Sequence, residues 1–258
     1  MFVAFSHLGL DHAAYRLAPA AIWLVIIWLA ETYVATPRLG RIQHGVTNLA
    51  LAALNGGLLF FSVGLLSVFV CNLSSAEPFT LIGVVFSFLA LDLFSYLWHR
   101  ANHRIPLLWR FHAVHHSDSA MDVTTAGRFH VAELGVAGMV RLPLLYLLGV
   151  TTAALLIYET TLVIVSMMHH STITLGRFDR IARSVIVTPS VHSVHHSRDP
   201  DLYGANYSSV LSVWDRVFRT LRLPCGPIQH GLDTHDDHRS VRSLLASPFR
   251  DVHNRGEP

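Results

Sequence analysis

The sequence predicts an all-α fold: an integral membrane bundle of four to five membrane-embedded helices with a histidine-rich cap on the cytoplasmic side. The first reason is composition. Hydrophobic residues make up 52% of the 258 residues and charged residues only 14%, and the mean hydropathy of +0.42 is higher than in most soluble domains. The second reason is that the apolar residues form long stretches. The third is that 18 histidines are present and many of them cluster beside these stretches.

The apolar stretches define the predicted membrane helices. The first covers residues 19–35 and lacks the basic start and small-residue cleavage site of a signal peptide. The second covers residues 46–70 and the third residues 79–98, and at about 1.5 Å per residue each can cross roughly 30 Å of hydrocarbon. Residues 131–168 are again apolar but are interrupted by Arg141 and Pro143, which predicts two helices forming a hairpin near residues 148–152.

The placement of arginines predicts the orientation. Arg38 and Arg41 precede the second stretch, no arginine lies in residues 71–78, and Arg100, Arg104 and Arg110 follow the third stretch. Because cytoplasmic loops carry the excess of positive side chains, both histidine-rich regions are expected on the cytoplasmic side. All 19 positive side chains are arginine, a usage that indicates a G+C-rich bacterial genome and therefore a bacterial cytoplasmic membrane.

Charge and cysteine content exclude several function classes. The net charge is only +2 and the arginines are scattered, so nucleic-acid binding has no support. Cys71 and Cys225 are the two cysteines, too few for a four-cysteine zinc site or a self-contained iron–sulfur cluster. A redox metal in this chain must therefore use other ligands.

Histidines in three spaced groups are the main functional signal. His99 and His103 form an HxxxH pattern, and HxxHH patterns begin at His112 and again at His192. On a helix, residues three or four apart face the same side, which suits shared metal coordination. The repeated HxxHH pattern indicates two halves of one site. Histidines outside these regions are expected to be solvated or capping residues; they are His7, His12, His44, His230, His235, His238 and His253.

The number of clustered histidines predicts two metal ions, because a single tetrahedral zinc needs only three or four protein ligands. Imidazole suits zinc, copper, nickel and iron alike. A cluster beside membrane spans lies where a lipid chain can reach it, and oxidation of an unactivated C–H bond favours iron with dioxygen. Carboxylates are expected to orient the rings; the candidates are Asp92, Asp118, Asp122, Glu133 and Asp215. Asp92 has a second interpretation, in which it pairs with Arg100 or Arg104.

Several segments resemble the fatty acid hydroxylase / sterol desaturase superfamily. The run DLFSYLWHRANHRIPLLWRFHAVHHS at residues 92–117 is similar to the core of that family, and TPSVHSVHHS at 188–197, NY at 206–207 and VWDRVF at 213–218 resemble its closing segment. The resemblance covers about residues 80–222. Val131 stands where the family usually has proline, and Ser208 and Arg219 each stand where it usually has glycine, departures that concern subfamily and substrate.

The resemblance implies a di-iron, dioxygen-dependent enzyme that hydroxylates or desaturates a lipid such as a fatty acyl chain or sterol. It implies metal ligands at His99, His103, His112, His115, His116, His130, His170, His192, His195 and His196, and supporting residues at Asp92, Glu133, Asn206 and Asp215. His169 is left open, as are the lipid and the choice between alcohol and alkene products. Zinc is a possible substitute for iron. The expected domains are N-terminal transmembrane helices at 1–78, a catalytic domain at 79–222 and a polar, loosely ordered tail at 223–258.

Two electrons per turnover must come from another source, because the sequence has no GxGxxG in a βαβ context and no four-cysteine cluster. A separate ferredoxin, or a cytochrome with its reductase, is therefore expected as redox partner. Two other functions remain open on the sequence. A membrane haem protein for electron transfer would place paired histidines within facing spans, and a metal transporter would carry carboxylates along a path through the membrane.

Overall fold

The computed structural model describes residues 3–34, 40–74, 80–232 and 240–250. The helices of these residues are α1 (Val3–Val34), α2 (Arg41–Leu59), α3 (Leu65–Ser74), α4 (Leu81–Arg104), α5 (Pro106–His116), α6 (Val131–Leu147), α7 (Thr152–His170), α8 (Asp179–Val185), α9 (Pro189–His195), α10 (Pro200–Tyr203), α11 (Val213–Val217) and α12 (Val241–Ala246). A π-helical turn, Phe60–Gly64, joins α2 to α3, and 3₁₀ turns cover Val123–Gly127, Gly176–Phe178 and Ser247–Phe249. Within the described ranges no strand forms, and pairing is limited to two isolated bridges.

The predicted all-α membrane bundle is confirmed. Among the described residues, three helical segments are long and apolar enough to cross a membrane: Arg41–Leu73, Leu81–Arg104 and Thr152–His170. The apolar part of α1, Ala18–Val34, and the 17-residue α6 are shorter. The segment Arg41–Leu73 has 33 residues and is therefore about 50 Å long, whereas the hydrocarbon layer is only about 30 Å thick. The start of α2 therefore extends beyond the spanning region toward the histidine cap.

The predicted helical hairpin forms with its turn where expected. Arg141 and Pro143, however, do not interrupt its first helix. Helix α6 continues through both residues to Leu147, and α7 begins at Thr152. The side chain of Thr151 caps α7 by accepting a hydrogen bond from the Ala154 backbone N–H at 3.2 Å. Arg141 donates to Glu159 of α7 at 2.6 Å. This ion pair joins the two helices and offsets the cost of placing a charge in an apolar hairpin.

Part of the predicted polar tail is ordered, which corrects the expectation of a loosely ordered terminus. Leu244 of α12 is buried against Leu51 and Val114. The Pro248 carbonyl accepts hydrogen bonds from the Arg110 guanidinium at 2.7 and 3.0 Å. Residues 240–250 are thus held by apolar burial and a charged donor. The remaining tail positions 233–239 and 251–258 lie outside the described residues.

A close approach of two helices fixes the position of α6. Gly138 faces Val63 of the π-helical turn, and a Cβ built at Gly138 would overlap the Val63 side chain. Valine is branched at Cβ and has few rotamers with which to move away. Packing at this crossing therefore depends on the absence of a side chain at position 138.

Substitution of this glycine should lower the stability of the bundle. We expect Gly138→Ala to reduce the apparent unfolding temperature in detergent, because the new methyl group must displace Val63. The matched control is Gly57→Ala in α2, where nothing lies within 4 Å of the added Cβ and the change should be neutral or stabilising by up to about 1 kcal/mol. The double variant Gly138→Ala/Val63→Ala should recover much of the loss; equal unfolding temperatures for Gly138→Ala and Gly57→Ala would contradict this packing argument.

Candidate metal centre

Four helices bring histidines to one region of the molecule. Helix α4 carries His99 and His103 near its C-terminus, and α5, α7 and α9 also end in histidines. Except for His99, which is half-buried, all of the histidines in the two groups described below are buried. Helix ends suit this role because their last turns leave room for side chains from several helices to converge.

The converging histidines form two groups. Site 1 consists of five histidines whose ligand nitrogens all lie within 4.8 Å of one another: His99, His103, His112, His116 and His195. Site 2 consists of four histidines that meet the same criterion: His115, His170, His192 and His196. Each HxxHH pattern contributes to both sites, because His115 and His116 belong to different sites, as do His195 and His196.

Distances between ring nitrogens are those expected around a shared ion. In site 2 the Nε2 atom of His170 lies 3.1 Å from that of His115 and 3.0 Å from that of His192. In site 1 the Nε2 atoms of His99 and His112 are 3.1 Å apart. Two imidazole nitrogens bound at about 2.1 Å to one ion at angles of 90 to 110° would lie roughly 3.0 to 3.4 Å apart. The donor sets therefore fit a metal at each site.

Buried nitrogens without hydrogen-bond partners support the same conclusion. Both ring nitrogens of His103 and His116 and the Nε2 atom of His195 are buried and lack a hydrogen-bond partner in the described structure. A buried polar atom left without a partner costs about 1 to 3 kcal/mol. Several such atoms facing one small volume indicate that a ligand completes their bonding, and three or more imidazoles facing one point are a metal-binding arrangement.

The Nδ1 atoms of four of these histidines each face a specific hydrogen-bond acceptor. The Nδ1 atom of His112 lies 2.7 Å from Glu133 Oε1, which also accepts a hydrogen bond from Asn102 at 2.9 Å. The Nδ1 atom of His99 contacts the Tyr207 carbonyl at 2.9 Å. An acceptor on Nδ1 selects the tautomer whose Nε2 lone pair is free to bind a metal. His195 and His170 follow the same rule, with carbonyls of residues 205 and 166 at 2.7 and 2.8 Å.

The loop 205–208 supplies two of these carbonyls and is itself clamped. Asn206 has a positive φ of 58°, and its side chain bonds the Val191 carbonyl and both backbone groups of Arg222. Asp215 accepts hydrogen bonds from the backbone N–H groups of Tyr207 and Ser208 at 2.8 and 3.0 Å. Asn206 and Asp215 therefore act on the histidines indirectly, by fixing the loop whose carbonyls orient them.

Asp92 has neither of the two roles considered from the sequence. It contacts no histidine and pairs with neither Arg100 nor Arg104 in the hydrogen bonds and ion pairs of the described residues. Its carboxylate accepts hydrogen bonds from the backbone N–H groups of Val210 and Leu211 and from Trp214 Nε1, at 3.2, 3.0 and 2.8 Å. Asp92 thus ties α4 to the segment that leads into α11.

His130 does not join the other histidines, although the family resemblance implied a ligand there. Its Nδ1 accepts a hydrogen bond from the Ala132 N–H at the start of α6, and its Nε2 lies 3.2 Å from the Leu245 carbonyl. Both nitrogens are engaged in structural contacts. His169, whose role was left open, is buried with its ring 4.0 Å from that of His192 but is not part of either group.

A polar network beside the site was not anticipated from the sequence. His44, expected to be solvated, instead places Nε2 2.9 Å from Asp118 and Nδ1 3.4 Å from Asp122. Glu31 of α1 accepts hydrogen bonds from Arg41 and from the backbone of Val123 and Thr172. The missed signal is the polar stripe Arg41, His44, Asn48 and Asn55 in α2, whose spacing of three, four and seven residues repeats on one helix face.

His230 bonds the Ser193 hydroxyl at 2.8 Å. Of the other histidines expected to be solvated or capping, the side chains of His7 and His12 and the whole of His235, His238 and His253 lie outside the described residues.

Burial in the cap favours the neutral form of five histidines. Burial, together with neighbouring imidazoles, lowers the pKa well below the ordinary value of 6.5 for five histidines outside the membrane spans: His115, His116, His192, His195 and His196. Neutral imidazole is the form that binds a metal ion. The cap therefore presents its ligands ready for binding near neutral pH.

This lowered pKa predicts acid sensitivity of the metal-free protein. In the unfolded chain these histidines take up protons as the pH falls below about 6.5, whereas the folded cap cannot accept them. Stability should therefore decrease as the pH is lowered from about 7.5 to 5.5, measured as the apparent unfolding temperature of chelator-treated protein. His196→Asn should make the dependence shallower. An unfolding temperature that does not change with pH would show that these histidines are not buried as neutral groups.

Loss of the Glu133 carboxylate should weaken metal binding at site 1. Glu133→Gln removes the charged acceptor of His112 Nδ1 and Asn102, and loss of such a contact typically lowers metal affinity by about 10- to 100-fold. Metal retained after dialysis against a chelator, measured by inductively coupled plasma mass spectrometry, reports the change. Asp201→Asn at an exposed position is the control and should retain metal like the wild type; equal retention by Glu133→Gln would rule out this role.

The sequence is similar to those of known lipid-modifying enzymes. Residues 84–220 match the family model described as fatty acid hydroxylase. The chain is 33% identical over 150 residues to alkylglycerol monooxygenase of Danio rerio, covering 58% of this chain and 32% of that protein. It is 28% identical over 222 residues to alkylglycerol monooxygenase of Homo sapiens, covering 82% and 47%, and 31% identical over 170 residues to ornithine lipid hydroxylase OlsE of Rhizobium tropici, covering 64% and 50%.

The chain spans between about a third and a half of the length of these curated relatives. No solved structure matches it significantly. The family match covers more than half of the chain and includes all nine histidines of sites 1 and 2. On this basis the chain belongs to the fatty acid hydroxylase family.

Proposed function

We propose that this chain is the catalytic part of a di-iron monooxygenase that hydroxylates a membrane lipid. The observation that carries the proposal is the pair of adjacent groups of five and four histidines, whose ligand nitrogens converge within 4.8 Å in each group. The metal ligands are these nine residues. His130 is assigned to capping α6, and the catalytic domain is assigned to residues 79–222.

Iron is the metal that best fits the donor sets and the family together. All-imidazole sites bind several divalent metals, and zinc can take the place of iron during overexpression. Bound iron would supply the activation of dioxygen. A lipid R–H, dioxygen, two electrons and two protons would give R–OH and water; removal of a second hydrogen atom in place of oxygen transfer would give an alkene and two waters.

The protein residues hold, orient and shield the centre. The carbonyls of loop 205–208 and the Glu133 carboxylate fix the rings of His99, His195 and His112, so little reorganisation is needed during turnover. The ring of Phe129 stacks on that of His115 with 4.1 Å between the ring centroids, and the ring centroids of Trp109 and His103 are 5.0 Å apart. These aromatic rings form part of the wall around the histidines. The nine imidazoles would hold the two ions, with five at site 1 and four at site 2.

Hydroxylation is favoured over desaturation, and the substrate is a lipid of undetermined class. The relatives are named as a monooxygenase of alkylglycerol and a hydroxylase of ornithine lipid. Cholesterol 25-hydroxylase of Homo sapiens is 24% identical over 155 residues, which is 56% of this chain and 53% of that protein. These names share hydroxylation of a lipid-soluble molecule. A membrane haem protein and a metal transporter are not favoured by this family membership.

Two further features belong to the proposal. The arginine-rich side of the bundle faces the cytoplasm of a bacterium, following the arrangement of Arg38, Arg41, Arg100, Arg104 and Arg110. The two electrons come from a separate ferredoxin, or from a cytochrome with its reductase, because two cysteines cannot hold an iron–sulfur cluster.

Metal content tests the two sites separately. Wild-type protein from iron-supplemented cells should contain about two irons per chain by mass spectrometry, as two separate sites require. His195→Ala should deplete site 1 and His115→Ala site 2, each lowering iron by about one per chain or more, and the double variant should lose most of it. The control is His130→Ala, which should retain wild-type iron. Iron that survives the double substitution, or is lost on His130→Ala, would overturn the ligand assignment.

Isotope labelling tests the reaction. Purified iron-loaded protein in proteoliposomes, supplied with an alkylglycerol, an ornithine lipid or a sterol, ferredoxin, its reductase and NADPH, should incorporate one oxygen atom from ¹⁸O₂ into the lipid. An alkene without label would show desaturation instead. If none of these lipids is consumed while the centre is still reoxidised by dioxygen, the proposed substrate classes are wrong.

A further inference from the structure

Helices α8 and α11 present apolar side chains to the surface although neither is long enough to span a membrane. Ile181 and Val185 of α8 are 70% and 59% exposed, and Phe178 just before it is 59% exposed. Val217 of α11 is 60% exposed, and the adjacent Phe218 is 38% exposed. Contiguous exposed apolar side chains indicate a surface that is covered in the native environment.

The two helices form one unit, here named the α8–α11 surface and defined as residues 176–185 together with 213–219. The Ser212 N–H bonds the Val185 carbonyl at 3.0 Å. Arg216 donates to the Arg183 carbonyl at 2.6 Å, and the Ser212 hydroxyl donates to the same carbonyl at 2.8 Å. These bonds hold the exposed side chains of both helices in a fixed relation.

This unit is attached to a membrane span and not only to the cap. Asp92 of α4 binds the backbone of Val210 and Leu211 and the Trp214 indole N–H. Asp92 lies seven residues before His99 in α4, which is about 10 Å farther from the histidine end along the helix axis. On the same helix, Leu89 and Leu97 are exposed apolar residues on either side of this level. Asp92 therefore joins the α8–α11 surface to a helix that itself presents apolar side chains at the protein surface.

Charge on the unit is complementary to lipid phosphates. The two segments contain five arginines and two aspartates. Asp215 is buried, and Asp179 binds Arg183 and Ser190. Arg177, Arg180, Arg216 and Arg219 are exposed. In α8, Arg180 is turned about 100° from Ile181 and about 140° from Val185, so basic and apolar side chains occupy different faces, as in helices that lie in a membrane interface.

We propose that the α8–α11 surface lies in the membrane interface, with its apolar side chains among the lipid acyl chains and its arginines at the phosphates. Helix α9, which carries His192 and His195, begins four residues after α8 ends. Insertion of α8 therefore sets the depth of the metal centre at the edge of the leaflet. A lipid could then reach the centre from the bilayer beside α8 and α11. The proposal depends on the membrane spans and does not require the metals to be iron or the reaction to be hydroxylation.

Site-directed spin labelling measures the position of this surface directly. Nitroxide labels are placed singly by Ile181→Cys, Val217→Cys and Arg180→Cys in a Cys225→Ser background, with the buried Cys71 left in place. Each labelled chain is reconstituted in nanodiscs of phosphatidylcholine and phosphatidylglycerol. Collision of the label with oxygen, which concentrates in the bilayer, is compared with collision with a water-soluble nickel complex.

The expected result is that oxygen collisions dominate at positions 181 and 217, whereas the nickel complex is relatively more effective at position 180. Two results would overturn the proposal. Dominant nickel collisions at positions 181 and 217 would place this surface in water. Low collision rates with both reagents at these positions would show that protein covers it, as a second copy of the chain would. Retained metal content in each variant shows that the label has not unfolded the cap.

Discussion

The structure depends on one constraint: nine imidazoles, eight of them buried, must be held close together. Nitrogens of neighbouring rings approach to 3.0 to 3.1 Å, and many have no hydrogen-bond partner within the described structure. An uncharged ring cannot donate to and accept from several other rings at once. The arrangement is unfavourable by itself and would become favourable with an ion in each group, so the proposed metal binding would be linked to folding of the cap.

Several buried polar residues other than the histidines position the ligands indirectly. Asn206 and Asp215 fix the loop that orients His99 and His195. Asp92 binds the segment leading into α11. Asp118 and Asp122 contact His44, so that the loop following α5 is attached to α2. Carboxylates in this protein thus act mainly by accepting hydrogen bonds from backbone and histidine donors, which holds the helix ends in register.

Sequence patterns predicted the all-α membrane bundle and the convergence of the clustered histidines, because helix periodicity and long apolar stretches are local properties. They could not predict which histidine belongs to which site, since that depends on how α4, α5, α7 and α9 cross. His130 shows the limit: its position resembles the family pattern, but its contacts with Ala132 and Leu245 are visible only in three dimensions. The packing of α12 was missed because Val241, Leu244 and Leu245 form a stretch too short to stand out from a polar tail.

The division of each HxxHH pattern between two sites has a consequence for metal loading. His115 and His116 are neighbours in α5 but belong to different sites, and so are His195 and His196 at the end of α9. The same two helix turns would therefore hold both ions. A substitution that displaces the backbone of either turn should lower metal retention at both sites, whereas loss of a single imidazole should affect chiefly the site to which that imidazole belongs.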